Sequence, residues 1–360
     1  MKLYPLQASV RGMLLLIIGV LIFSCRKQKI PMDMEDKNID YPAAYVVNGE
    51  SSSISVINLN TNTVSETIDL MSTDNQMVMW PHHLSVYSIF DMHRLVIGVP
   101  GMDLSEGHSG GMGHMKGQVL VLDGVKGKTL KSIELPTSNH NAAFSPDGRE
   151  IWTSQMEMDG KVLVYDAQTY ALKSTINVGM EPAEVTFSAD GSKAYIANGG
   201  DNTVSVIDPS SKSIIITISV GAGPVGAWVG FDNKMYVDNE DGKSISVIDV
   251  TSNAVIQTIQ LGFMPGSAAH NATKKELWVT DPDNGKVHYW TWNNGSGQWI
   301  TGGSFNTGAG AHAVAFTPDG NMAYVTNQLA TNVSVINAGN HSKIKDITVG
   351  KKPNGIVLKP

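Results

Sequence analysis

Ten histidines and 17 methionines occur in this 360-residue chain, and they are unevenly spread. Nine of the methionines fall between Met71 and Met158. His82 and His83 are adjacent, and a glycine-rich stretch from Gly101 to Met115 carries His108, Met112, His114 and Met115. Met156 and Met158 follow in a second short polar stretch. Imidazole nitrogen with thioether sulfur is a soft donor set, suited to copper more than to magnesium or calcium. Glycine would let the first stretch fold over a site. The competing reading is an adaptable, solvated surface, for which methionine is equally suited.

What positions these residues is a repeat. Ala44-Tyr45-Val46-Val47-Asn48 returns at 194–198, 235–239, 277–281 and 323–327, with a weaker copy at 151–155. A second segment follows each, as in Val162 to Asp166, Val204 to Asp208 and Ile245 to Asp249. The spacing of about 40 residues belongs to propellers or solenoids. Alternation with period 2 makes each unit four short strands, here a to d. Turns such as Ser145-Pro146-Asp147-Gly148 join a to b. Inner strands fall near Leu84, Ala142, Val185, Ala227, Ala268, Val314 and Ile356, which makes seven. The last has no b strand after it, and the first Ala-Tyr-Val-Val-Asn has no a strand before it. The expected fold is therefore an all-β seven-bladed β-propeller over 43–360, closed by the C-terminal strand completing the N-terminal blade. Closure removes the exposed edges that a linear array would leave.

Ala323-Tyr324-Val325-Thr326-Asn327, with its Val-Ser-Val-Ile partner strands, resembles the YVTN-type β-propeller repeat found in surface-layer and YncE-like proteins. The resemblance covers nearly all of 44–360. It implies the fold and little chemistry, because that family is functionally mixed.

Strand direction then selects one face of the disc. The start of every a strand and every b–c loop must lie together. Aligning the a strands on their buried apolar residue makes His82, His140, Ala183, Val225, Gly266, His312 and Asn354 equivalent. Three histidines and an asparagine thus fall on four consecutive blades, and the long loop and Met156 belong to the same side. The expected metal ligands are His82, His83, His140, His312, His108, His114, Met112 and Met115. Asn354, Met156 and Met158 are expected on the ligand-binding face. The Pro81-His82-His83 pair with single histidines on other blades is also similar to the propeller of nitrous oxide reductase. That resemblance would make His82, His83, His140 and His312 copper ligands. The cysteine-rich copper motif of that family is absent, since Cys25 is the only cysteine, so reductase chemistry is not expected.

The first 24 residues read as a signal peptide. Lys2 and Arg11 precede an apolar run of 11 residues, Met13 to Phe23, too short to span a bilayer. Ile22-Phe23-Ser24-Cys25 resembles a bacterial lipobox, which implies lipidation at Cys25. Residues 25–42 then read as a tether, and the protein as exported and held by its lipid at the periplasm or outer membrane. The net charge of -7 becomes -9 on removal of the signal peptide. No Lys/Arg cluster follows Lys29, which argues against nucleic acid as a partner.

Gly107-His108-Ser109-Gly110-Gly111 and Gly221-Ala222-Gly223-Pro224-Val225-Gly226 have the letters of a nucleophile elbow and of a phosphate-binding loop, but both motifs need a strand leading into a helix, and no helix is expected in an all-β chain. His270, in an a strand, reads as a packed, hydrogen-bonded histidine. The function expected is an envelope-anchored binding or scaffolding module, its protein or small-molecule ligand at the propeller mouth. A copper-binding or redox-accessory role is the first alternative. A lyase or hydrolase using a mouth histidine as general base is the second.

Overall fold

The computed structural model describes residues 1–2, 36–89, 92–105 and 115–359. The chain divides into a unit of 1–33 and a unit of 34–360, and the second holds the fold. Cys25 and the signal-peptide reading lie outside the described residues, as do His108, Met112 and His114.

Among the described residues there are seven four-stranded antiparallel sheets. The inner strands of blades 2 to 7 are Leu84–Ile89, Ala142–Phe144, Pro182–Phe187, Pro224–Val229, Ala268–Asn271 and Ala311–Phe316. Blade 1 is built from both ends of the domain. Pro353–Lys359 pairs with Ala43–Asn48, with Tyr45 opposite Val357, and Ser53–Asn58 and Thr63–Asp69 complete the sheet. The ring therefore closes as the repeat count requires.

An aromatic residue in six of the seven b strands, replaced by Val96 in blade 2, explains how blades stack. Tyr45, Trp152, Tyr195, Tyr236, Trp278 and Tyr324 are fully buried. Each packs in a cluster that joins adjacent sheets, as Tyr45 does with Leu95 and Leu120 of blade 2. Burying a side chain of this size removes about 150–250 Å² from water, so one such aromatic is a large fraction of each interface that has it.

The polar ends of the strands divide their work. The Asp or Asn that ends a c strand caps the following turn: Asp208 Oδ1 accepts from Ser210 N at 2.7 Å, and Asp123 Oδ1 from Val125 N at 2.9 Å. The Asn that ends a b strand differs from that pattern. Asn48, Asn198, Asn239 and Asn327 donate mainly to Ser and Thr side chains of the c strand, as Asn198 Nδ2 does to Ser205 Oγ at 3.0 Å. These amides are buried, so a side-chain partner across the strand pair is what satisfies each Nδ2 donor, while the Oδ1 of all four makes no hydrogen bond among the described residues.

Residues 36–42 lie on the propeller. Lys37 N and Ile39 N donate to Lys126 O and Val125 O, each at 3.0 Å. Ile39 is fully buried, and Lys359 Nζ donates to its carbonyl at 2.7 Å. Residues 36–42, inside the stretch that composition alone reads as tether, are thus in contact with the ring.

Candidate metal centre

His82 and His83 immediately precede the inner strand of blade 2. Backbone bonds hold both: His82 N donates to Gly98 O at 2.8 Å, and Gly98 N donates to His83 O at 3.0 Å. Gly98 has a second task. A Cβ there would lie 2.6 Å from Asn141 Cα and 2.8 Å from His140 O, so only glycine lets blade 3 approach this closely. On the other side, a Cβ on Gly355 would lie 2.9 Å from His83 Cα. Blades 1 and 3 are thereby brought against the histidine pair.

The result is a compact group of four imidazoles. The rings of His82 and His83 stack at 4.4 Å between centroids. His140 stands edge-on to them at 4.5 and 5.1 Å. His312, from the inner strand of blade 7, stands edge-on at 5.7 and 5.1 Å. All four are buried. Ligand atoms of His82, His83 and His140 lie within 4.8 Å of one another, a spacing that could hold a metal ion. His312 is oriented from outside the trio, its Nδ1 donating to Asn354 O at 3.3 Å. Asn354 Nδ2 in turn donates to Pro81 O at 3.2 Å, which ties blade 1 to the residue preceding His82.

A carboxylate completes the group. Glu184, third residue of the inner strand of blade 4, is 2% exposed. Its Oε1 accepts from His83 Nδ1 and lies 3.3 Å from His140 Nδ1. Burial alone would raise this carboxyl. The charge and hydrogen bonds of His83 and His140 outweigh burial and hold it well below the usual carboxylate range. Among the described residues, His83 Nε2 has no hydrogen-bond partner. In the neutral tautomer, with Nδ1–H committed to Glu184, Nε2 carries the lone pair, the carboxylate–histidine arrangement typical of metal ligands, and a bound cation would take the place of the Nε2 proton.

Trp228 lies 5.7 Å from His83 by ring centroids. Its Nε1 donates at 2.6 Å to Asp238 Oδ1, which also accepts from Gly226 N at 3.0 Å. Asp238 is fully buried, and Oδ2 has no hydrogen-bond partner. Burial pushes this carboxyl well above its ordinary value, and repulsion from Glu240 and Glu184 adds to the effect.

Of the other expected residues, Met156 is buried in an apolar cluster with Ala183 and Val225. Met158 and Met115 are exposed. The first residues of the long loop lie over His82. Met102 to Ser105, Trp80, Lys352 and Asn354 surround a cavity of about 10 Å³ beside it. Lys352 Nζ fastens this segment by donating to Asp103 Oδ2 at 2.5 Å and Ser105 Oγ at 2.8 Å.

Glu184 and Asp238 were not among the residues singled out from sequence. A signal for Glu184 existed. One place beyond the aligned register, the blades carry His83, Asn141, Glu184, Gly226, Ser267, Ala313 and Gly355. A lone carboxylate in that small, buried series requires a partner, and His83 occupies the same row.

The sequence profile of the choice-of-anchor I domain matches residues 114–337. No curated protein matches the sequence. Among solved structures, the periplasmic gluconolactonase of Pseudomonas aeruginosa superposes with a TM-score of 0.68 at 17% identity, over 89% of this chain and 99% of that one. A functionally unknown protein from Desulfotomaculum acetoxidans superposes with a TM-score of 0.68 at 15% identity, over 88% of this chain and 98% of that one. At these identities the likeness is one of fold.

Proposed function

The chain belongs to the choice-of-anchor I family, and from that premise we propose an envelope propeller that binds one transition-metal ion, copper before others, through His82, His83 and His140. The observation that carries this reading is His83, which gives Nδ1–H to a buried carboxylate and keeps Nε2 without a partner beside two further imidazoles. The donor set is neutral imidazole, which suits copper and zinc, and copper stands highest in the affinity order of divalent ions. Glu184 would orient His83 and raise its basicity. His312, fixed by Asn354, would wall the site.

The envelope location rests on the charged n-region and short apolar run ahead of Cys25. In keeping with it, one propeller of the same fold is described as periplasmic. A lipid on Cys25 would hold the protein to a membrane. With one ion and no further reactive group assigned, the role proposed is binding rather than turnover.

Elemental analysis of exported protein, before and after copper loading, tests this. About one metal per chain is expected, falling below about 0.2 in His83→Ala. A wild-type content below that same level after loading would reject the proposal.

A further inference from the structure

The opposite face of the ring, where a strands end and c–d turns lie, carries a second site. Blades 5 and 6 frame a cleft of about 320 Å³ there, within the range of small-molecule sites of about 300–1,000 Å³. Phe231 stands at its rim with 68% of its surface exposed. Trp292 and Trp299 supply further aromatic wall, and Lys234 Nζ sits 4.4 Å from the centroid of the Trp292 ring and steadies it.

Among the described residues, Asp232 Oδ1 and Trp299 Nε1 are buried atoms of this cleft's lining that make no hydrogen bond. His270 is 8% exposed, and its Nδ1 accepts from Phe231 N at 3.1 Å. Accepting at Nδ1 puts the proton of the neutral ring on Nε2. Burial lowers the pKa of this histidine further than Asp232 raises it, and Lys234 adds to the lowering, which keeps the ring neutral. No hydrogen bond is made by Nε2 among the described residues. Asp232 Oδ2 accepts from Tyr236 Oη at 2.8 Å and Lys234 Nζ at 3.0 Å, while Oδ1 is buried and takes no hydrogen bond. A buried acceptor left unmade is costly, and with the Nε2–H of His270 beside it the cleft offers a place for a ligand.

We propose that this cleft binds a neutral pyranose unit, its C–H face against Phe231 and Trp292 and its hydroxyls on His270 Nε2 and Asp232 Oδ1. The chemistry selects that class. A hydroxyl both accepts and donates, so one ring satisfies an N–H and a carboxylate together. A purely apolar ligand would leave both atoms dry, and a phosphate would meet the Asp232 carboxylate. A small cation would meet Lys234 and Lys275. The site is independent of the histidine group and of its proposed metal.

Saturation-transfer NMR on the full chain, with glucose, galactose, N-acetylglucosamine and cellobiose as probes, tests the site. Transfer to the ring C–H protons of at least one probe is expected. Phe231→Ala and His270→Gln should each weaken that binding by about tenfold, while Leu172→Ser, on the exposed flank of blade 3, should leave it unchanged. Phe231 is a surface residue, so its variant reports on binding even if the buried His270 variant folds poorly. No transfer to any of the four probes, or transfer undiminished in Phe231→Ala, would overturn the proposal.

Discussion

Glu184 and Asp238 are buried carboxyl groups on neighbouring blades, and burial has opposite outcomes for them. Glu184 meets two imidazoles and stays ionised below the usual range. Asp238 meets one indole N–H and one backbone N–H, with Glu184 and Glu240 adding negative charge, and is pushed up. Desolvation is common to both, so the neighbours decide the protonation state. The lesson is that the ionic half of this interior is built by blades 2, 3 and 4, and the half on blade 5 is kept neutral.

The sharpest way to break this contrast is to remove the partner of Glu184. His83→Leu leaves a buried carboxylate short of compensation and should cost about 3 kcal/mol in urea unfolding. Replacing both His83 and Glu184 by Leu should recover part of that loss. An unchanged midpoint in the single variant would mean that His140 alone sustains the charge.

A smaller effect should separate the two carboxyls by pH. Asp238 has a folded pKa above its unfolded value, so its contribution is complete below the unfolded pKa. It is lost as pH rises through the folded one. Asp238→Asn should therefore flatten the decline of melting temperature with rising pH, and a decline as steep as wild type would refute the assignment. The mildest test is Trp228→Phe, which deletes the donor to Asp238 Oδ1. It should cost about 1 kcal/mol near neutral pH, read as a shift of the denaturation midpoint at constant slope.

How far these features were legible varies by kind. Ring closure was readable because an inner strand at Ile356 had no successor and the strand at Tyr45 had no predecessor. The convergence of His82, His140 and His312 followed from register, since equivalent positions in a closed ring face one axis. Glu184 escaped because its partners lie on other blades, 101 and 44 residues away in sequence. Pairing at that distance depends on the close approach of blades 2 and 3 that Gly98 allows, which brings His83 and His140 together. Met156 was placed on the ligand-binding face by its position in a b–c loop, and that it packs against Ala183 and Val225 of blades 4 and 5 was not readable from sequence.

The sheet shared by Pro353–Lys359 and Ala43–Asn48 makes the molecule self-checking. The backbone of Gly355 rests against His83, so the histidine group finds its final walls only after the last strand has docked. The earliest and latest parts of the domain must meet during folding, and a chain cut short would display unfinished blades instead of a finished site.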